Sequence, residues 1–117
     1  MTPATVVLAD DHQVVREGLR LLLEAQPDLS VVGEAADGLQ ATDMVDRLRP
    51  DVLVVDLIMP GLGGLDVARE VKRRSPKTRI VILSMHSSDS FVLQALKNGA
   101  SAYVQWVAGV SVMTRNV

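Results

Sequence analysis

Short runs of Val, Ile and Leu recur along this chain, each followed by a stretch of helical period, and that alternation constrains its fold more than any other feature. The runs are Thr5–Ala9, Leu29–Ala35, Val52–Asp56, Arg79–Ser84 and a weaker Ala102–Val104. Four of them are nearly continuous apolar runs, not apolar/polar alternations, which is how strands read when both sheet faces are buried. Between them, Val15, Leu19, Leu22 and Leu23 share one helical face. A second pattern from Leu39 to Leu48 presents Ala41, Met44, Val45 and Leu48. A third, Leu65 to Arg74, presents Leu65, Ala68 and Val71 and ends in Lys72-Arg73-Arg74, which suits a helix C-terminus. The fourth spans Asp89 to Lys97 and stops at Asn98-Gly99, a C-cap signal. Strands and helices in strict alternation predict parallel strands, right-handed crossovers and helices on both faces of one sheet.

Composition fits that reading. Of 117 residues, 48% are hydrophobic and 22% charged, ordinary globular usage. A chain of this length buries roughly two-thirds of its unfolded surface, enough for one core. The whole chain, 1–117, therefore reads as one domain. Lys and Arg number 12 against 14 Asp and Glu, so the basic excess of a stand-alone nucleic-acid binder is missing. With no cysteine, disulfides, iron–sulfur clusters and thiolate zinc sites are excluded. The opening Met1-Thr2-Pro3-Ala4-Thr5 lacks a basic leader segment, and no run reaches the ~20 residues of a membrane span. The expectation is a cytoplasmic, non-membrane domain.

In doubly wound sheets, ligands bind beyond the carboxyl ends of the strands, where strand order reverses. For the flavodoxin-like order 2-1-3-4-5 that point lies between strands one and three. Strand one runs into Asp10-Asp11, strand three ends at Asp56 and strand four at Ser84. Alone, Asp10 or Asp11 reads as a helix N-cap, and Asp56 as a polar residue leaving a strand. Together they place three carboxylates in one crevice, which raises at least one pKa unless a cation compensates. Hard oxygen donors with open positions suit Mg²⁺, and a carboxylate beside such an ion can act as nucleophile toward phosphorus. The run Met59-Pro60-Gly61-Leu62-Gly63-Gly64 is glycine-rich but lacks the order of a phosphate-binding loop, and Pro60 removes a donor, so it reads as a turn. His12 and His86 read as residues near the site mouth, not as acid–base groups.

These motifs carry a resemblance. Val7-Leu8-Ala9-Asp10-Asp11-His12, Val55-Asp56-Leu57-Ile58-Met59-Pro60-Gly61 with Gly64, Ile82-Leu83-Ser84-Met85-His86 and Gly99-Ala100-Ser101-Ala102-Tyr103 resemble a two-component response-regulator receiver domain. The Asp-Asp-His and Leu-Ser-x-His forms are most similar to receivers that carry a LuxR-type (NarL/FixJ-like) helix-turn-helix output domain. Residues 5–104 are typical. The resemblance implies a phosphoryl group taken by Asp56 from a histidine kinase, and Mg²⁺ held by Asp10, Asp11, Asp56 and the backbone carbonyl of Ile58. It further implies that Ser84 donates its hydroxyl to the phosphoryl group and that Tyr103 changes rotamer in step. Phe91, Val92, Leu96 and Tyr103 would lie on or beside the output surface. Read without the resemblance, Ser84 is a buried, back-bonded serine and Tyr103 a half-buried strand aromatic.

Residues 105–117 depart from that pattern. The lysine that a receiver places just after strand five falls at Trp106, whose indole cannot supply the charge. Beyond it, Trp106, Val110, Met113 and Val117 allow one apolar helical face, whereas Gly109, the valines and a single charge disfavour a helix. Val110, Val112 and Thr114 alternate as a strand does. The two readings stay open, with a short, irregular or incomplete fifth helix slightly preferred. The break in composition points to a tail foreign to the rest, through truncation, a shifted reading frame or added residues. A poor fifth helix would uncover apolar surface, so a homo-oligomer is expected. With no helix-turn-helix in these residues, no direct nucleic-acid binding is expected. The leading function is a phosphoacceptor switch for transcription regulation, with coupling weakened by Trp106. The alternative is a phosphorylation-independent interaction and dimerisation module. A small phosphohydrolase is weaker, because no general acid is placed for a leaving group.

Overall fold

The structure, a computed structural model, describes residues 2–84, 89–107 and 110–116, with the backbone alone at 89–91 and from 105 onward. The elements are β1 (Ala4–Ala9), α1 (Gln13–Glu24), β2 (Leu29–Ala35), α2 (Gly38–Leu48), β3 (Val52–Asp56), α3 (Gly64–Arg74), β4 (Arg79–Ser84), α4 (Asp89–Lys97), β5 (Ala102–Val107) and β6 (Val110–Asn116). Strands β1 to β5 run parallel in the order β2-β1-β3-β4-β5, the flavodoxin-like arrangement the alternation predicts.

Each central strand buries both faces, and alternate residues go to different layers. Val7 and Ala9 of β1, Leu53 and Val55 of β3, and Ile80 and Ile82 of β4 join Tyr103 in the larger core. Ala41 and Val45 of α2, Val67, Ala68 and Val71 of α3, and Ala95 of α4 close that core from above. Their strand neighbours Val6, Leu8 and Val31 form a smaller core on the opposite face, where Leu19 and Leu23 of α1 pack.

That second layer is thin. No residue of α1 is fully buried, and Val14, Leu21 and Leu22 are 82%, 74% and 60% exposed. Of the face expected for α1, only Leu19 and Leu23 pack on the core, while Leu22 and much of Val15 meet solvent. The reason lies in the tail. No fifth helix follows β5 among the described residues, so the flank of α1 and the partly covered Val52 and Val54 have no second helix against them.

Residues 110–116 instead form β6, the strand reading that the alternation of Val110, Val112 and Thr114 left open, and the slight preference for a helix is corrected. β6 runs antiparallel to β5, from Ala102 opposite Asn116 to Val107 opposite Val110. β5 is lengthened by the pairing, and Trp106 therefore falls inside it, opposite Ser111, and not just beyond the strand end. β-branched residues and a single charge satisfy an edge strand better than a short solvated helix.

Two glycines on opposite sides of the molecule test this packing. A Cβ on Gly64 would stand 2.4 Å from the Asp56 carbonyl oxygen and 2.8 Å from the Leu57 Cα, both backbone atoms that cannot yield. Gly18, in α1, has nothing within 4 Å of that position. In urea unfolding, Gly64→Ala is expected to lose about 2–3 kcal/mol, and Gly18→Ala to gain about 0.5–1 kcal/mol. Equal effects would contradict the close approach of α3 to the end of β3.

Candidate functional site at the carboxyl edge of the sheet

Register decides which side chains meet. Ala9 lies opposite Val55, and Asp56 opposite Leu83. One step beyond Ala9 and Val55, Asp10 and Asp56 stand side by side at the carboxyl edge, and Ser84 follows Leu83, the β4 partner of Asp56. Backbone bonds fix these ends: Asp10 N donates to the Ala35 carbonyl at 3.0 Å, and Leu57 N to the Leu83 carbonyl at 2.9 Å.

The loop after β1 then folds back on itself. His12 N donates to Asp10 Oδ1 at 2.8 Å, an Asx-type turn that holds the carboxylate inward. His12 is the N-cap of α1 and makes no side-chain cap bond, so neither Asp10 nor Asp11 takes the capping role open to it in the sequence. Asp10 is buried at 4% exposure, whereas Asp11 is exposed. Arg16, one turn into α1, donates from Nη1 to the Asp10 carbonyl at 2.7 Å and from Nε to Glu34 at 3.0 Å. Glu34 also accepts from Arg20, and chiefly for that reason its carboxyl is held below the ordinary range. The ion-paired link from β2 through α1 thus fixes the backbone of the acidic turn.

On the other side of the crevice, Leu57 and Met59 are buried and anchor the segment after β3, while Ile58 between them is exposed. Ile58 N donates to Asp56 Oδ1 at 3.3 Å. The glycine-rich run forms the connection into α3, with Gly61 at φ 72° and Gly63 as the helix N-cap. It functions as a turn, as its order implies.

Asp10, Asp11, His12 and Asp56 each bring a ligating atom within 4.8 Å of the others. The sequence had brought together only the carboxylates. His12 reads from the sequence as a residue near the mouth, yet its Nδ1 lies 3.2 Å from Asp11 Oδ1 and 3.3 Å from Asp10 Oδ1. Its place directly after the acidic pair was the available signal. Arg16 left none, because its contact with a backbone carbonyl depends on how α1 leaves the strand. Asp56 carries the electrostatic cost of the cluster. Its pKa is pushed up to about 6, first by burial, then by the neighbouring Asp10 charge and, less, by Asp11; the Ile58 amide and His12 oppose the rise.

The other anticipated residues fall as follows. Ser84 ends β4 and is buried at 2% exposure, one residue past Leu83, the register partner of Asp56. Tyr103 is fully buried in the larger core, deeper than the half-buried strand aromatic that its sequence alone suggested. Val92 packs against that core, and Leu96 is half-buried. His86 and the side chains of Phe91 and Trp106 lie outside the described residues.

A doubly wound parallel sheet with carboxylates, and not a glycine-rich phosphate loop, at its switch point defines the acidic-crevice class of flavodoxin-like domains. Residues 6–109 match the family model described as the response regulator receiver domain, and the chain belongs to that family. It is 40% identical over 102 residues to the nitrate/nitrite response regulator protein NarL of Escherichia coli K12, covering 87% of this chain and 47% of that protein. It is 37% identical over 99 residues to the transcriptional regulatory protein DegU of Brevibacillus brevis, covering 85% of this chain and 42% of that one. The chain thus spans somewhat under half the length of these curated relatives. Among solved structures, the signal receiver domain of the response regulator NarL from Mycobacterium tuberculosis superposes with a TM-score of 0.85 at 37% identity, covering 88% of this chain and 83% of that one. No helix among the described residues is long and apolar enough to cross a membrane.

The raised Asp56 pKa sets a pH dependence. Between the ordinary 3.8 and about 6, the folded protein holds a proton on Asp56 that the unfolded chain has released, so without cations stability falls as pH rises through that window. Asp56→Asn removes the charge. The variant is expected to be more stable than the parent by about 1–2 kcal/mol at pH 7, with allowance for partial exposure, and indistinguishable near pH 4. A stabilisation equal at both pH values, read by thermal unfolding in chelator, would contradict the raised pKa of Asp56.

Proposed function

We propose that this chain is a phosphoacceptor switch in two-component signalling, in which Asp56 takes a phosphoryl group from a histidine kinase. The observation that carries the reading is the convergence of Asp10, Asp11 and Asp56 on one crevice, with Asp56 pushed up to about 6 by burial and then by the Asp10 charge. Such a donor set fits a hard divalent cation, Mg²⁺, held by Asp10, Asp11, Asp56 and the Ile58 carbonyl, with Asp10 acting largely through water. When bound, the ion neutralises the cluster and offers positive charge to phosphoryl oxygens. Asp56 then stays ionised, as an attacking carboxylate must. Its oxygen bonds to phosphorus as the P–N bond to the kinase histidine breaks, and the imidazole nitrogen leaves with that bonding pair and takes up a proton.

Ser84, one residue past the register partner of Asp56, is the hydroxyl that donates to the transferred group, and Tyr103 is the buried aromatic that repacks in response. The output is transcription control in the cytoplasm, in keeping with the similarity to the transcriptional regulatory protein DegU, through the helix-turn-helix domain that the LuxR-type resemblance implies and that residues 1–117 do not contain. Residues 5–104 form the typical domain, and 105–117 an atypical tail in which Trp106 stands where a receiver's lysine would. An ammonium–phosphoryl hydrogen bond is worth roughly 1.5–3 kcal/mol, so the switch is more weakly coupled here.

A second reading is favoured by the strand β6 that replaces a last helix: a phosphorylation-independent interaction module. Both readings predict self-association, because Val14, Leu21 and Leu22 leave α1 with exposed apolar surface. A light-scattering mass rising above the 12.6 kDa of one chain with concentration is expected, and 12.6 kDa at every concentration would contradict it.

Intact mass after incubation with Mg²⁺ and acetyl phosphate separates the two readings. A gain of about 80 Da, one phosphoryl group, that is absent in Asp56→Asn is the expected result. A folded sample that gains nothing would exclude the acceptor role and leave the interaction module.

A further inference from the structure

The carboxylates share their crevice with a group that the phosphoacceptor reading does not use. His12 Nδ1 approaches Asp11 Oδ1 to 3.2 Å and Asp10 Oδ1 to 3.3 Å, and the ligating atoms of Asp10, Asp11, His12 and Asp56 lie within 4.8 Å of one another. Donors bound at ~2.1 Å to one octahedral ion lie ~3 Å apart when adjacent and ~4.2 Å apart when opposite. The imidazole is already at the spacing of an adjacent ligand. Its backbone is fixed as well: His12 N is bonded to Asp10 Oδ1 at 2.8 Å, and the His12 carbonyl accepts the Arg16 amide at 3.0 Å as α1 begins. The ring is mostly exposed, with 69% of the side chain accessible, so a solvated cation can reach Nδ1 without opening the fold.

We propose that His12 is a further protein ligand of this crevice, its Nδ1 converting an all-oxygen site into a mixed oxygen–nitrogen site that favours imidazole-binding cations such as Co²⁺ over Mg²⁺. The inference rests on the reading that the crevice holds a divalent cation. Imidazole is a good donor to Co²⁺, Ni²⁺ and Zn²⁺ and a poor one to Mg²⁺, which keeps oxygen ligands and water. A carboxylate cluster alone already ranks these ions in that order, so the signature of His12 is not the ranking itself. It is the part of the preference that disappears with the ring.

The same approach distances also describe a plain hydrogen bond from Nδ1–H to Asp10 or Asp11. That alternative has a different consequence. A ring that only hydrogen-bonds to the carboxylates affects their affinity for every cation alike, whereas a ligand affects the nitrogen-binding ion selectively.

The test is calorimetric titration of the full chain with Mg²⁺ and separately with Co²⁺, for the parent, His12→Ala and His12→Gln. Loss of one ligand is expected to weaken Co²⁺ binding about tenfold in both variants, while the Mg²⁺ constant changes less than about twofold. The retained Mg²⁺ affinity also shows that the variants fold. A second readout uses a His86→Gln background, which leaves one imidazole in the chain. There the Co²⁺ form is expected to show a strongly shifted imidazole N–H proton resonance that is lost in His12→Ala. Mg²⁺ and Co²⁺ constants that move together, with no such resonance, would overturn the ligand role of His12 and leave the cation site standing. Failure of both ions to bind the folded parent would overturn the cation reading and this inference with it.

Discussion

Burial and mutual repulsion of carboxylates gathered at the ends of parallel strands form the constraint around which this domain is built. Strand pairing places Asp10 and Asp56 side by side, and neither can retreat without breaking ladder hydrogen bonds that also organise the two cores. The cost adds to that of burial on Asp56, whose proton is held to about pH 6 by desolvation first and by the Asp10 charge next. A positively charged occupant removes that cost, so metal binding, ionisation of Asp56 and readiness of its oxygen for phosphorus are one linked equilibrium in the proposed mechanism. Around it the scaffold is stiff. Arg16 and Glu34 tie the acidic turn to α1 and β2, and Gly64 lets α3 approach the end of β3 where any side chain would collide with backbone.

Much of this was legible in the residues. The strands Leu29–Ala35, Val52–Asp56 and Arg79–Ser84 and the helix Asp89–Lys97 have the bounds their patterns predict, because continuous β-branched runs between turn residues admit no competing period. Gathering Asp10, Asp11 and Asp56 needed only the strand order and the rule that sites form at its reversal. What escaped depends on geometry that spacing does not encode. The approach of His12 is set by the turn that Asp10 makes with its amide, and the depth of Tyr103 by how α4 closes over β5.

The tail escaped for a different reason. Residues 110–116 carry two weak patterns at once, and the neighbour decided between them: β5 offered an open edge, and pairing satisfies backbone groups that a poor helix would leave to water. The consequence reaches the far side of the sheet. Without a helix beside it, α1 covers its layer alone, and a face that its sequence pattern marks as core is left partly in solvent. A domain with a gathered acidic crevice and an incomplete outer layer joins two properties, a site chemistry and an exposed apolar surface, that the two functional readings weigh differently.

The central claim is that the crevice holds its carboxylates in electrostatic tension that a divalent cation relieves. Carbon-13 NMR titration of the Asp56 carboxyl, in chelator and then in saturating Mg²⁺, tests it most directly. The account predicts a midpoint near 6 without the ion and a clear fall when it is added. A midpoint at the ordinary 3.8 in chelator, unmoved by Mg²⁺, would contradict it.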